Sequence, residues 1–208
     1  MLGDSANPNI SARNEQTSEH NRIETENKDL MNIKNFEFKA KVDSLEKYEN
    51  KLLTLNPTYQ GLDHQIDTYF NVQKGRLKLR EGNIENSLIN YDRENISGSK
   101  VSEIILYKHK SNIALKHILT LQLGVKIVVD KKRKIYFKDN VKFHFDIVED
   151  LGTFIEVEAI DSKEEFTIEE LKIQCDKYFA FFELTDINII DKSYSDLIMD
   201  WSKHTTDI

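Results

Sequence analysis

The sequence predicts an α+β fold in which eight antiparallel strands close into a barrel, with helices packed outside it. Apolar and polar side chains alternate with a period of two along eight segments after Ile33. Short links rich in glycine, asparagine and serine join several of these segments. Three further segments, and a short one near the C-terminus, carry apolar residues at helical spacing. Eight strands are enough to close a barrel around one small ligand.

The segment before the first strand is expected to be a disordered tail. Residues 1–32 contain no Phe, Trp, Tyr or Val, so every aromatic side chain of the chain comes later. Such a segment cannot bury enough apolar surface to offset the entropy lost on ordering it. We therefore predict a folded domain over residues 33–201 and a frayed C-terminus over 202–208.

The strands are delimited by residues that favour turns. Lys74-Gly75 follows the second strand, and Asp139-Asn140 separates the sixth from the seventh. Links this short are typical of antiparallel neighbours. The predicted strands are 33–42, 62–72, 76–82, 86–95, 101–109, 125–137, 140–149 and 152–161.

The helices are predicted from capping residues and apolar stripes. Thr167 and Glu170 form a capping box that opens the third helix, and Gly124 closes the second. The first begins at Asp43 or Ser44. The first predicted helix ends at residue 56. The other three run from about 111 to 123, from 167 to 182 and from 194 to 201.

The charge of the chain limits its partners. With 29 Lys and Arg against 36 Asp and Glu, the net charge is -7, so we expect no binding to long nucleic acids. No apolar run approaches the roughly 18 residues of a membrane span. The single cysteine, Cys175, cannot form an internal disulfide, and we expect a cytoplasmic protein, either a monomer or a homodimer.

Charged side chains share one face of most predicted strands. Glu37 and Lys39 alternate with Phe36 and Phe38, and residues two apart on a strand point the same way. In an open antiparallel sheet these charges would face solvent. In a closed barrel with helices outside, they would line the interior.

A charged interior would suit a phosphate chain together with its metal. Cations neutralise phosphate oxygens, and carboxylates bind a hard divalent ion. Phosphoryl transfer needs mainly positioning and charge stabilisation, without a covalent nucleophile. The sequence has no phosphate-binding glycine loop and no H-E-x-x-H zinc motif.

Seven motifs follow one another along the chain. They are Asn-Phe-Glu-Phe-Lys at 35–39, Asp-Thr-Tyr-Phe at 67–70, Arg-Leu-Lys-Leu-Arg at 76–80, Tyr-x-Arg at 91–93, Lys-x-Arg at 131–133, His-x-Asp at 144–146 and Leu-Gly-Thr-Phe-Ile-Glu-Val-Glu at 151–158. In this order they resemble the CYTH domain of the triphosphate tunnel metalloenzyme superfamily, which includes class IV adenylate cyclases, thiamine triphosphatases and inorganic triphosphatases. The resemblance covers roughly residues 33–200.

The resemblance implies a tunnel that is open at both ends and binds a small triphosphate with Mg²⁺ or Mn²⁺. The implied phosphate ligands are Lys39, Lys78, Arg80, Arg93, Lys108, Lys131 and Arg133. The implied metal ligands are Glu37, Asp146, Glu156 and Glu158. The resemblance also makes Lys39 and Tyr69 the candidate catalytic pair that activates water.

Two departures from the family pattern bear on function. Asn35 replaces the first glutamate of the E-x-E-x-K strand, and Lys78 replaces an arginine. We expect a metal-dependent phosphohydrolase acting on inorganic triphosphate or on a triphosphorylated organic compound. The alternatives are an adenylate cyclase and a non-catalytic polyphosphate- or nucleotide-binding domain in which Asn35 marks a degraded metal site. The His-Phe pair of the cyclases would fall at residues 29–30 and is absent, which favours hydrolysis.

Overall fold

The computed structural model describes residues 34–93 and 100–205, without the side chains of residues 92, 93, 100–103 and 203–205. The tail predicted over residues 1–32 lies outside the described residues, as do residues 206–208 of the predicted frayed end. The last helix continues to Thr205, past its predicted end at residue 201.

The eight predicted strands are present and form one closed antiparallel barrel, which confirms the predicted fold. Around the barrel the strands follow the order β1-β5-β4-β3-β2-β6-β7-β8. The strands are β1 Lys34–Lys41, β2 Thr58–Phe70, β3 Arg76–Gly82, β4 Ser87–Arg93, β5 Lys100–Lys108, β6 Val125–Lys138, β7 Val141–Val148 and β8 Gly152–Asp161. The second strand begins earlier than predicted because Thr58 and Tyr59 pair with the end of β6.

The seams between strands differ in length. Among the described residues, β1 and β5 pair at two positions, whereas β1 and β8 pair along all of β1. The β1–β8 register sets Glu37 opposite Glu158 and Lys39 opposite Glu156. Directly opposed residues point to the same face, so these four side chains are neighbours.

Four α-helices accompany the barrel: α1 Leu45–Leu53, α2 Ile113–Leu123, α3 Ile168–Phe181 and α4 Tyr194–Thr205. Thr167 and Glu170 form the predicted capping box, and Ser44 caps α1. The second helix, predicted from about residue 111, begins at Ile113 because the Asn112 side chain caps it and accepts a hydrogen bond from the Ala114 amide. No described helix has both the length and the apolar character needed to cross a membrane.

The main hydrophobic core lies outside the barrel, between α1 and α3 and the outer faces of β1, β7 and β8. Phe38 of β1 meets the Phe179 ring of α3 edge-on, and Phe143 of β7 meets Tyr178 in the same way. Each fully buried large side chain contributes about 1.5–3 kcal/mol. Because the apolar faces are covered from outside, the charged faces of these strands point into the barrel.

We expect Phe182→Ala to lower the free energy of unfolding by about 3–5 kcal/mol. The Phe182 side chain is fully buried at the end of α3 and packs against the rings of Tyr48 and Phe143. Urea denaturation measures the change. Ile173→Ala on the exposed face of the same helix is the control, and a shift within about 0.5 kcal/mol is expected there. Equal effects of the two substitutions would contradict this account of the core.

Candidate functional site

The inward faces of the strands enclose a cavity of about 630 Å³. Most of the predicted site residues line it, namely Glu37, Lys39, Tyr69, Lys78, Arg80, Lys108, Lys131, Arg133, Glu156 and Glu158. Asp146 is buried next to Arg133. The side chain of Arg93 lies outside the described residues. Strands far apart in sequence thus bring the predicted charges to one enclosed space.

Asp67 is the carboxylate on which cations from β3 and β6 converge. Arg80 binds it with two donors, Nε to Oδ1 at 2.9 Å and Nη2 to Oδ2 at 3.0 Å. The Nζ atoms of Lys131 and Lys78 lie 2.7 and 3.2 Å from Oδ2. The Asp67 residue is only 1% exposed. Three cations that share one buried carboxylate leave a net positive charge, which suits an anionic ligand.

This cluster shifts pKa values in opposite directions. Burial opposes the charged form of Asp67, but attraction by Arg80, Lys131 and Lys78 outweighs it and holds the pKa well below its usual range. Burial lowers the pKa of Lys131 to about 7; Asp67 opposes this decrease, while Arg80, Arg133 and Lys78 add to it. A bound polyphosphate would favour the charged form of Lys131.

A second cluster surrounds Glu156 of β8. Its Oε1 atom lies 2.7 Å from Lys39 Nζ, and its Oε2 atom contacts Arg133 and lies 3.3 Å from His144 Nδ1. Burial opposes its charge, but Lys39 and Arg133 keep its pKa well below the usual range. Burial, with repulsion from Arg133 and Lys142, lowers the pKa of His144 to about 3, so this imidazole is neutral at neutral pH.

Glu37, Glu156 and Glu158 crowd negative charge on the β1 and β8 side of the cavity. Burial raises the pKa of Glu158 above its usual value; Lys142 opposes the increase, and the charge of Glu37 adds to it. A divalent cation would relieve this repulsion, so the three carboxylates fit a resident Mg²⁺ or Mn²⁺. Among the described residues, no three Asp, Glu, His or Cys side chains already converge as a metal site. The fit therefore rests on the chemistry and crowding of the carboxylates.

Asp146, the fourth predicted metal ligand, has other partners. Its Oδ1 atom accepts a 2.7 Å hydrogen bond from Arg133 Nε, and its Oδ2 atom accepts one of 2.7 Å from the Tyr194 hydroxyl. Both oxygens are thus engaged in orienting Arg133 and Tyr194. A direct role of Asp146 in metal binding stays a prediction.

Four site residues were not assigned a role from the sequence: Asp67, Glu85, Lys142 and Tyr194. Asp67 precedes Tyr69 by two positions on β2, and Lys142 precedes His144 by two on β7, so the strand period could have placed both in the lumen. Glu85 lies in the turn after β3 and binds Lys142 at 2.5 Å. No periodicity connects a turn residue to a strand face.

Tyr194 comes from the start of α4 and lies across one end of the cavity. Its ring centroid is 4.2 Å from Lys39 Nζ, and the residue is 5% exposed. The family resemblance implies two open ends, whereas here the start of α4 covers one of them. The candidate catalytic Lys39 therefore lies beside an aromatic ring from a helix, close to the covered end.

A closed barrel with cations and carboxylates on its inner wall defines a class of protein that binds small polyphosphates inside a tunnel. The family model of the CYTH domain matches residues 34–179 of this chain. The chain therefore belongs to the CYTH family. Members of this family act on triphosphates, as adenylate cyclases or as triphosphatases, and are metal-dependent.

Solved structures with the same fold include two archaeal proteins. One, from Pyrococcus horikoshii, is 24% identical, with a TM-score of 0.67, over 78% of this chain and 98% of that chain. A conserved hypothetical protein from Pyrococcus furiosus is 22% identical, also with a TM-score of 0.67, over 78% of this chain and 99% of that chain. A search of the curated proteins finds no match. At these identities the structures establish the fold.

The shifted pKa of Lys131 makes stability depend on pH. Between pH 7 and 10 the unfolded chain binds a proton at Lys131 that the folded chain lacks, because its pKa rises from about 7 to its ordinary value on unfolding. This group therefore makes the free energy of unfolding rise with pH in this window, by at most about 1.4 kcal/mol per pH unit.

Comparison of urea denaturation at pH 7 and 8.5 measures this effect. We expect Lys131→Gln to remove this contribution to the slope and Lys132→Gln, on the exposed face of the same strand, to keep it. Equal slopes in the native protein and Lys131→Gln would contradict the shift.

Proposed function

We propose that this protein is a metal-dependent phosphohydrolase that cleaves the terminal phosphate from a triphosphate bound in the barrel. The observation that carries the proposal is the convergence of three cations on buried Asp67, across the barrel from a group of glutamates. In the ring of strands, β2 stands four places from β1, and β3 stands four places from β8. We call Lys78, Arg80 and Lys131 the cation wall, and Glu37, Glu156 and Glu158 the carboxylate wall. Cations on one side of the barrel and carboxylates on the other suit a phosphate chain with a divalent ion.

The cation wall would bind the phosphate oxygens. Arg80 offers a planar fork for two oxygens, and Asp67 already holds that fork in one orientation. Lys78 and Lys131 act as point charges on either side. Because Asp67 satisfies these cations before ligand binds, little reorganisation is needed when phosphate oxygens take over part of its role.

The carboxylate wall would hold the metal, with Glu37, Glu156 and Glu158 as its ligands. A bound Mg²⁺ or Mn²⁺ supplies Lewis-acid stabilisation of the phosphate oxygens. Glu156 also positions the ammonium group of Lys39 through their 2.7 Å ion pair. The fit of the carboxylates and the family membership both support metal dependence.

In the reaction, water attacks the terminal phosphorus in line, and the bond from that phosphorus to the bridging oxygen breaks. The ammonium group of Lys39 and the hydroxyl of Tyr69 orient the attacking water, and its proton passes to an oxygen of the transferred phosphoryl group as the new bond forms. Lys78, Arg80 and Lys131 neutralise the charge that develops on the leaving group. The products from inorganic triphosphate are phosphate and diphosphate.

Glu156→Gln is expected to reduce phosphate release from triphosphates by at least about 100-fold, since it weakens both metal binding and the positioning of Lys39. Glu149→Gln, in the exposed turn after β7, is the control with unchanged activity. Phosphate is measured with Mg²⁺ or Mn²⁺ and again after chelation, which should abolish it. Thermal melting of both variants verifies folding.

The same incubations test the alternatives by product chromatography. Cyclic AMP and diphosphate formed from ATP would overturn hydrolysis in favour of cyclisation. Tight binding of all triphosphates without turnover, at any metal concentration, would support the non-catalytic alternative and contradict the proposal.

Tyr69→Phe tests the catalytic pair separately. Removal of the hydroxyl is expected to lower kcat by roughly 100-fold, with KM nearly unchanged, because the cation wall is intact. Tyr107→Phe, on an exposed position of β5, serves as the control. An increase in KM at constant kcat would instead assign Tyr69 to substrate binding.

A further inference from the structure

Helix α2 is apolar on every side, although it lies at the surface. Seven of its eleven residues are Ile, Leu or Ala, and none is Asp or Glu. Leu115, Leu119 and Leu123 repeat every four residues and are half-buried, so this side packs on the barrel. A helix that is apolar all round is normally enclosed by protein or by lipid. No residue of α2 reaches full burial, so within the described part of the chain its other side has no cover.

The uncovered side of α2 is formed by Ile113, Ala114, Ile118 and Leu121, which we call the outer face. At about 3.6 residues per turn, these four positions fall within half of the helix circumference. Ile113 is 85% exposed, Ile118 57% and Leu121 67%. Removal of this apolar surface from water would be favourable. Exposed apolar side chains grouped on one helix face indicate an interaction surface.

The connections of α2 fix the direction in which the outer face points. In the barrel β5 and β6 run in the same direction, so α2 returns along the outer wall from the end of β5 to the start of β6. Lys116 Nζ lies 2.7 Å from Glu81 Oε2 in β3. At the other end of the helix, the Asn71 amide donates a 3.2 Å hydrogen bond to the Gly124 carbonyl. The outer face therefore points away from the barrel and from the cavity inside it.

Positive charge lies at both ends of the outer face. Residues 104–129 contain four lysines and two histidines but no Asp or Glu, in a chain with a net charge of -7. Lys110 precedes α2 and Lys126 follows it, and both are exposed. Lys74 is exposed in the turn that carries Asn71, beside the C-terminal end of α2. An apolar helix face with lysines around it is complementary to a lipid surface with anionic headgroups.

The same features disfavour other occupants of the outer face. A symmetric dimer through α2 would set the same lysines of two copies against each other, and like charges repel. Residues 1–32 are acidic, but they contain no aromatic residue and no Val and have little apolar surface to offer. Protein interfaces are enriched in Arg and aromatic residues and depleted in Lys, whereas this face combines Ile and Leu with Lys.

We propose that the outer face of α2 binds the surface of an anionic lipid bilayer. Ile113, Ile118 and Leu121 enter the boundary between headgroups and acyl chains, and Lys110 and Lys126 lie at the lipid phosphates. The helix lies in the plane of the surface. Because α2 follows the wall of the barrel, neither end of the cavity is pressed against the bilayer. Binding to lipid does not depend on the hydrolysis of a triphosphate.

Sedimentation of the full chain with lipid vesicles tests this inference. The vesicles contain phosphatidylcholine alone, or equal parts of phosphatidylcholine and phosphatidylserine. We expect the partition coefficient to be at least about tenfold greater for the anionic vesicles, and to fall as salt is added. Ile118→Glu places a negative charge in the outer face and should lower binding at least about tenfold. The double variant Lys110→Glu with Lys126→Glu should lower it at least about tenfold as well.

Two control variants match these changes elsewhere on the surface. Ile173→Glu makes the same substitution on α3, at a residue that is 58% exposed. Lys132→Glu with Lys163→Glu makes the same change of net charge at two exposed lysines away from α2. Both controls should change binding by less than about twofold, because charges beyond the screening length contribute little. Thermal melting verifies that all four proteins fold.

Absence of binding to anionic vesicles would overturn the inference, as would equal binding to both kinds of vesicle. Equal losses in Ile118→Glu and Ile173→Glu would also overturn it. Light scattering of the protein in solution tests the second copy as occupant. A dimer that Ile118→Glu dissociates would assign the outer face to self-association and contradict lipid binding, whereas a monomer that binds only anionic vesicles supports it.

Discussion

The buried carboxylate of Asp67 is the interaction on which this barrel depends. Without it, Lys78, Arg80 and Lys131 would repel one another in a space with little water, and loss of one partner from a buried ion pair typically costs 3–5 kcal/mol. The barrel tolerates so many internal charges because its larger hydrophobic core lies outside, where α1 and α3 cover the strands. A second apolar cluster, which includes Tyr69, Tyr91 and Tyr194, lies at the end of the cavity next to α4.

The internal ion pairs also connect the lumen to the elements that bound it. Arg133 joins Asp146 to Glu156, and Asp146 in turn accepts a hydrogen bond from the hydroxyl of Tyr194 in α4. At the other end, the pair of Glu85 and Lys142 ties the β3–β4 turn to β7. The two ends of the cavity are therefore bounded by different elements, and the tunnel is asymmetric along its axis.

Much of this could be read from the sequence because a strand has the simple period of two. The alternation at Glu37 and Lys39, and at Glu156 and Glu158, correctly grouped the lumen charges by strand. The same period placed Asp67 on the face of Tyr69, although its role as a partner of three cations depends on β3 and β6. Asp146 was placed near the lumen, but its engagement with Arg133 and Tyr194 could not be foreseen.

By itself, the sequence determined the eight strands, the helices with their caps, and which charges share a face, since these follow from local periodicity and capping chemistry. Only the tertiary structure decided which charges are partners and that the start of α4 lies across one end of the cavity. Those facts depend on the order of strands around the barrel and on contacts between a helix or turn and distant strands. Such contacts involve residues far apart in sequence, and no local pattern encodes them.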